Sequence, residues 1–320
     1  MMELIKLTPV YKDYLWGGTR LRERYGKGQG LDRVAESWEL AVHPDGTNRV
    51  AAGPDAGMPL DSWLAQAGPR WLGARGAGFA QFPVMVKLID ALQPLSIQVH
   101  PGDNYALARE GQYGKTEVWY ILDALPGSFL YMGLRQPLTR EELDHRIRAG
   151  TLTQVLNRVE VHPGEAYFIP AGTIHAIGAG VMVCEIQQNS NLTYRVYDYD
   201  RRDAAGSLRP LHLDQAAEVS TLAPTPLPQG APAPEAAGGG QRSLIASCPY
   251  FVSHHWRVQG QCGLPGDPGS FTHLLLLEGS GLLRWAGEEL PVQAGDSLLL
   301  SAGIGEITLT GEAALVSTRV

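Results

Sequence analysis

Gln98, Val99 and His100 stand in an apolar run, and side chains two apart on a strand leave the same face. A carboxamide and an imidazole are therefore presented together. Glu117 follows in GKTEVWYIL, again in strand-like surroundings. Imidazole, carboxylate and carboxamide oxygen suit a divalent first-row metal, but these three donors make an incomplete set. A fourth comes from Gly164–His175, GEAYFIPAGTIH, with the spacing G-x5-P-x-G-x2-H. A strand there ends in a Pro/Gly turn, and the next strand begins on His175. Single strand histidines are usually surface or hydrogen-bonded residues, and His43, His145, His212, His254 and His255 are assigned to that class. Three ligand types at compatible spacings in two glycine-punctuated motifs are much harder to obtain by chance.

Only five residues are lysine, and two of them fall near this set. Lys115 shares a strand face with Glu117, so it is expected at the metal cavity rather than snorkelling to solvent. For Lys87, inside VMVKLID, the two readings are balanced. Arg195, flanked by Tyr194 and Val196, emerges from apolar surroundings. It is either a salt-bridge partner of Asp198 or Asp200, or a fork for phosphate or a developing enediolate. In VMVCEIQQ, Glu185 and Gln187 share one face and Met182, Cys184 and Ile186 the other. Cys184 is expected to be a buried, inert thiol.

The elements that must hold these groups are mostly strands. Leu4–Trp16 reads as one or two strands ending in a tight Trp16-Gly17-Gly18 turn, and Ala35–Val42 as another. Met58–Leu72 is predicted helical, with Leu60, Trp63, Leu64 and Trp71 on its apolar face. Asp103–Arg109 is a short helix with Asp103 as its cap. Thr139–Ala149 opens with a capping box, Thr139 and Glu142, and Thr151–Asn157 adds a helical piece. This insertion near 139–157 is expected to cover the mouth of a barrel. Residues 223–240, rich in Pro, Gly and Ala, read as a linker with no packed element. They separate a unit over 1–222 from a smaller all-β unit over 241–320, in which Phe271–Leu283 reads as strand, turn, strand. Gly295–Glu306 repeats the second motif as G-x5-S-x-G-x2-E, a degenerate copy expected to hold no metal.

The chain has 320 residues, room for two domains with real cores. High Gly (38) and Pro (22) suit many short strands. A net charge of −7 without a basic stripe argues against nucleic acid as a partner. The N-terminus carries charge too early for a signal sequence and no apolar run reaches membrane length, so a cytoplasmic protein without a membrane partner is expected. Three cysteines, Cys184, Cys248 and Cys262, show no paired spacing. Whether the chain is a monomer or a dimer is left open.

The Gly164–His175 segment resembles the second metal motif of the cupin family. Gln98, His100 and Glu117 match that family's first motif with glutamine in the first histidine's place, and Ala179 stands where an asparagine is usual. Together with Trp16-Gly17-Gly18, Glu36-Ser37-Trp38-Glu39, SIQVHP, Lys115-Thr116-Glu117 and TYRVYD, the set resembles the type I mannose-6-phosphate isomerases. The short bacterial form with two cupin barrels is the nearest in kind. The resemblance implies a mainly β fold of two cupin barrels and one Zn2+ held by Gln98, His100, Glu117 and His175. It implies Arg195 as an active-site residue and Lys87 and Lys115 at the substrate, with Trp16 also taken to be substrate-binding. Lys115 and Glu185 join Arg195 as catalytic candidates. The implied reaction interconverts mannose 6-phosphate and fructose 6-phosphate through a cis-enediol. The general base stays open between Glu185, a lysine and a zinc-bound hydroxide. A non-catalytic sugar-phosphate sensor is the alternative from another class. A cupin oxygenase is disfavoured by glutamine at position 98.

Overall fold

The computed structural model describes residues 3–202, 206–227 and 230–320. Two linker residues, Pro228 and Gln229, lie outside the described residues. The fold is mainly β and built of two barrels.

The first barrel faces a six-stranded sheet against a five-stranded one. The six-stranded sheet runs Ala166–Ile169, Glu117–Ala124, Val181–Gln188, Val84–Ala91, Glu36–Leu40, Val10–Lys12. Its central strands, VMVKLIDA and VMVCEIQQ, are buried at every residue. Both faces are covered, which explains the nearly unbroken apolar runs. Val84, Val86, Leu88, Met182, Cys184 and Ile186 point outward and join a core cluster with Phe271, Leu275, Leu299 and Val316 of the second barrel. Alternate residues point inward, so Glu185 pairs with Lys87 across the strands and Lys87 with Trp38. Gly17 turns the chain here because a Cβ would lie 2.6 Å from the Ala35 backbone.

The five-stranded sheet runs Leu156–Glu160, Phe129–Leu134, His175–Ile177, Ile97–Val99, Tyr194–Tyr197. The helical insertion packs on its outer face, not over the barrel mouth. Leu143, Ile147, Leu152 and Val155 cluster with Ile97, Val99, Ile174 and Tyr194, the outward residues of these strands. The capping box is formed, Thr139 Oγ1 accepting from Glu142 N at 3.1 Å and Glu142 Oε2 from Thr139 N at 2.8 Å. Leu152–Val155 is a single 3-10 turn, and Leu156 already begins a strand. The predicted helix over 58–72 is broken at Gly68 into Leu60–Ala67 and Pro69–Gly76, with Leu60, Trp63 and Trp71 buried as expected. Asp103 is not a cap. Gly102 caps that helix, and Asp103 Oδ1 instead accepts from Gly114 N and Gln188 Nε2, both at 2.8 Å.

The second barrel does not respect the boundaries read from composition. Leu4–Thr8 pairs with Ser297–Leu300, so the N-terminal strand belongs to the C-terminal sheet. The linker carries a strand, Pro234–Ala237, paired with Gly240–Ser247. Before it, Leu222 O accepts from Leu138 N and Thr225 N donates to Leu134 O, tying that stretch to the first barrel. Thr272–Trp285 is one strand with an irregularity between Leu276 and Glu278, not two strands and a turn. Its interior is apolar (Trp256, Leu274, Leu276, Leu298, Leu309 and others), and Glu306 stands where the first barrel has His175.

Candidate active site

Strand pairing assembles the predicted ligands. His175 lies directly opposite Gln98, and Glu117 opens the facing sheet's neighbouring strand. His100 follows immediately on Gln98's strand, with its side chain on the same face. His100, Glu117 and His175 are buried, and their ligand atoms lie within 4.8 Å of one another. Both imidazoles are aimed by backbone carbonyls. His100 Nδ1–H donates to Leu192 O and His175 Nδ1–H to Thr173 O, each at 2.8 Å. A carbonyl can only accept, so each Nε2 keeps its lone pair for the centre. Burial, reinforced by the Lys115 ammonium, pushes His100 well below its usual range and His175 down to about 3. Both rings are neutral, as a ligand must be. The Gln98 carboxamide reaches His175 Nε2 at 3.5 Å, and flipping the amide presents its oxygen.

The remaining groups surround this centre. Lys115 Nζ donates to Glu117 Oε2 and lies 3.2 Å from His100 Nε2 and 3.5 Å from Glu185 Oε1. Lys87 Nζ sits 3.4 Å from Glu185 Oε2 and 3.5 Å from Glu36 Oε2. Neither lysine snorkels; both are buried within the barrel. Glu185 also accepts from Trp119 Nε1 at 2.9 Å. Burial would raise its carboxyl, but the ammonium groups of Lys115 and Lys87 outweigh it and hold Glu185 down to about 2. Burial dominates at Glu117 and raises it. For Lys87 burial is outweighed by Glu36 and then Glu185, which raise it.

Two lysines face three carboxyls, Glu36, Glu117 and Glu185, in this buried site, and burial leaves Glu117 the one of the pair Glu117/Glu185 that favours its protonated form. Among the described residues nothing donates to Glu117 Oε1, although it is buried. A carboxyl with an orphaned oxygen, which a cation would draw into its ionised form, and two neutral imidazoles fit a divalent cation, and the N2O2 donor set suits zinc.

Gln98, Lys87, Lys115 and Glu185 open into a cavity of about 400 Å³ beside this cluster, within the usual range for small-molecule sites. Trp16, Ile89 and Leu95 form its apolar wall; Glu36, Lys87, Gln98, Lys115, Glu185, Asn191, Thr193, Arg195 and Arg209 supply its polar surface. Arg195 makes neither expected salt bridge. Asp198 is engaged by Arg209 and Arg201, and Arg195 Nη1 donates to Pro210 O at 2.8 Å. Glu36 was named from sequence only within the Glu36-Ser37-Trp38-Glu39 motif, without a role, and Arg209 was not singled out. His43, His145, His212, His254 and His255 lie outside the ligand cluster, and burial pushes the Cys184 thiol up, as expected of an inert core cysteine.

Residues 4–117 match the family model described as phosphomannose isomerase type I, catalytic domain, and residues 241–320 the mannose-6-phosphate isomerase cupin domain. A probable mannose-6-phosphate isomerase of Bacillus subtilis is 39% identical over 311 residues, 95% of each chain. The mannose-6-phosphate isomerase of Streptococcus mutans is 33% identical over 319 residues, 100% of this chain and 99% of that one. The chain belongs to the type I mannose-6-phosphate isomerase family. Members of this family are aldose–ketose isomerases. A crystal structure of the Bacillus subtilis mannose 6-phosphate isomerase superposes with a TM-score of 0.91 at 35% identity over 100% of both chains. A mannose 6-phosphate isomerase solved in a zinc-bound holo form shares the fold, with a TM-score of 0.78 at 20% identity. No helix of the described residues is long and apolar enough to cross a membrane.

Proposed function

We propose that this chain interconverts mannose 6-phosphate and fructose 6-phosphate with one zinc ion held by Gln98, His100, Glu117 and His175. The observation that carries the reading is the juxtaposition of a His/Glu/His cluster with an ionised carboxylate clamped between two ammonium groups, with Gln98, Lys87, Lys115 and Glu185 opening on one cavity. Zinc, when bound, would polarise the substrate's carbonyl and hydroxyl oxygens.

The chain's own groups supply the rest. Moving a carbonyl between C1 and C2 requires a base that takes a proton from one carbon and returns it to the other through a cis-enediol. Glu185 is ionised and fixed on three sides by Lys87, Lys115 and Trp119, so it is pre-aimed to hold that proton. Lys115 can donate to a substrate oxygen and pass a proton between the two. Lys87 holds Glu185 in place, and Glu36 in turn holds Lys87. Arg195 faces the same cavity and can donate to oxyanions along the sugar; a positioned donor in such a site is worth about 3 kcal/mol. Trp16, Ile89 and Leu95 exclude water from one side.

The test is conversion of mannose 6-phosphate before chelation, after it, and with zinc restored. Loss on chelation and recovery with zinc is expected. A folded, zinc-loaded protein with no conversion would favour the sensor reading.

A further inference from the structure

His175, Gln98 and Arg195 form a row across three adjacent strands, each directly opposite the next. Strands lie about 4.8 Å apart, so the row runs about 10 Å from His175, through Gln98, to the edge of the sheet. Arg195 is on that edge strand, and the chain returns alongside it. His212 N donates to Arg195 O at 2.8 Å, Arg195 N to His212 Nδ1 at 3.2 Å, and Arg195 Nη1 to Pro210 O at 2.8 Å. These bonds fasten the segment before His212 so that Arg209 reaches the cavity wall.

Arg209 is braced from behind. Its Nε donates to Oδ2 of buried Asp198 at 2.7 Å and its Nη2 to Oδ1. Its Nη1 makes no hydrogen bond among the described residues. Arg201 Nη1 stands 3.8 Å from the same Asp198 Oδ1. Two guanidinium groups, Arg201 and Arg209, thus share one buried carboxylate; with Arg195 on the same wall but unpaired to it, the corner carries an excess of two positive charges (3 − 1). Arg195 Nε is buried without a hydrogen-bond partner among the described residues. Asn191, Thr193 and Ser96 add neutral polar groups to the same wall. Lys87 and Lys115, the sequence-based candidates for phosphate, are each committed to two carboxylates near the metal ligands.

We propose that Arg209, held rigid by Asp198, takes the substrate's phosphate beside Arg195 and is the residue through which the site prefers phosphorylated to free sugar. The inference rests on the isomerase reading. A hexose 6-phosphate carries its phosphate at the end remote from C1 and C2, so this seat points the reacting carbons toward Lys115, Glu185 and the metal ligands. A braced guanidinium suits the task because its planar fork matches phosphate oxygens and little side-chain entropy is lost on binding.

The experiment compares wild type, Arg209→Gln and Arg209→Lys as zinc-loaded full-length proteins. Steady-state kinetics are measured with mannose 6-phosphate and with free mannose, and inorganic phosphate is titrated by calorimetry. Arg209→Gln should raise KM for mannose 6-phosphate and weaken phosphate binding about 10- to 100-fold, while kcat/KM for free mannose is unchanged. Arg209→Lys, which keeps the charge but loses the fork, should fall between and covers the case in which the glutamine variant does not fold. An unchanged KM with unchanged phosphate affinity overturns the proposal. So does an equal loss on both sugars, which would make Arg209 merely structural. If wild type isomerises neither sugar, the isomerase reading fails, and the phosphate titration alone still decides whether Arg209 is the anion seat.

Discussion

Glu185 is the residue whose chemistry depends most on its neighbours. Two buried ammonium groups keep its carboxylate ionised at a depth where an isolated carboxyl would be neutral. Glu185→Gln preserves shape but cannot take a proton. Turnover should fall about 10²- to 10⁴-fold with zinc content unchanged, checked by initial rates and metal analysis. His100→Ala or His175→Ala should instead lose the metal; full zinc stoichiometry in either variant would remove that residue from the ligand set. Gln98 and His100, Lys115 and Glu117, and Glu185 were legible in the sequence because a two-residue period places them on shared strand faces, and His175 because of the Gly/Pro-punctuated spacing that leads into its strand. For Lys87 the period left two readings. Packing decided it, since both faces of its strand are covered and no edge is open to solvent. Arg209 sits in an irregular segment where no period operates, and only the fold carries it to the cavity.

At the scale of elements, periodicity showed which residues of the insertion were apolar but not what they cover. Leu143 and Ile147 seal the back of the five-stranded sheet, and no residue of 139–157 lines the cavity. Removing the capping side chain by Thr139→Ala should therefore cost about 1 kcal/mol in urea unfolding while leaving KM for mannose 6-phosphate unchanged. A raised KM would return the insertion to the mouth. The Gly-Ser-Gly of Thr272–Trp285 imitated a turn for a related reason. A Cβ on Gly279 would lie 1.9 Å from Glu312 O, so the glycine permits close approach of the neighbouring strand rather than reversal of the chain. Composition alone does not distinguish the two uses.

For the whole molecule, the two barrels are joined by buried charge as well as by apolar packing. Lys27 Nζ donates to Glu39 Oε2 and to Gly295 O, both at 2.9 Å, and Ser297 Oγ donates to Glu39 O at 2.6 Å. Lys27→Met should cost about 3–5 kcal/mol by stranding Glu39, measured as a shift in a single unfolding transition. Two separated transitions would show that the barrels unfold independently. Next to this junction His273 is wholly buried and burial pushes it down to about 3. Between there and about 6.5 the unfolded chain binds the extra proton, so the stability this group contributes is complete above about 6.5 and is lost as pH falls toward 3. The slope is up to about 1.4 kcal/mol per pH unit. Urea midpoints at pH 7 and 5 should lie closer together in His273→Asn than in wild type; equal separations would remove His273 as a source of acid sensitivity.

The pairing of Leu4 with Leu300 also orders events in time. Leu4–Thr8 must wait for Ser297–Leu300, nearly three hundred residues later, an interval on the order of tens of seconds at ordinary translation rates. Until then Leu4–Thr8 has an unsatisfied edge, and the C-terminal sheet cannot close around it. A nascent chain in which Ser297–Leu300 has not yet emerged is thus left with an open strand edge, a substrate for chaperones rather than an early-working enzyme.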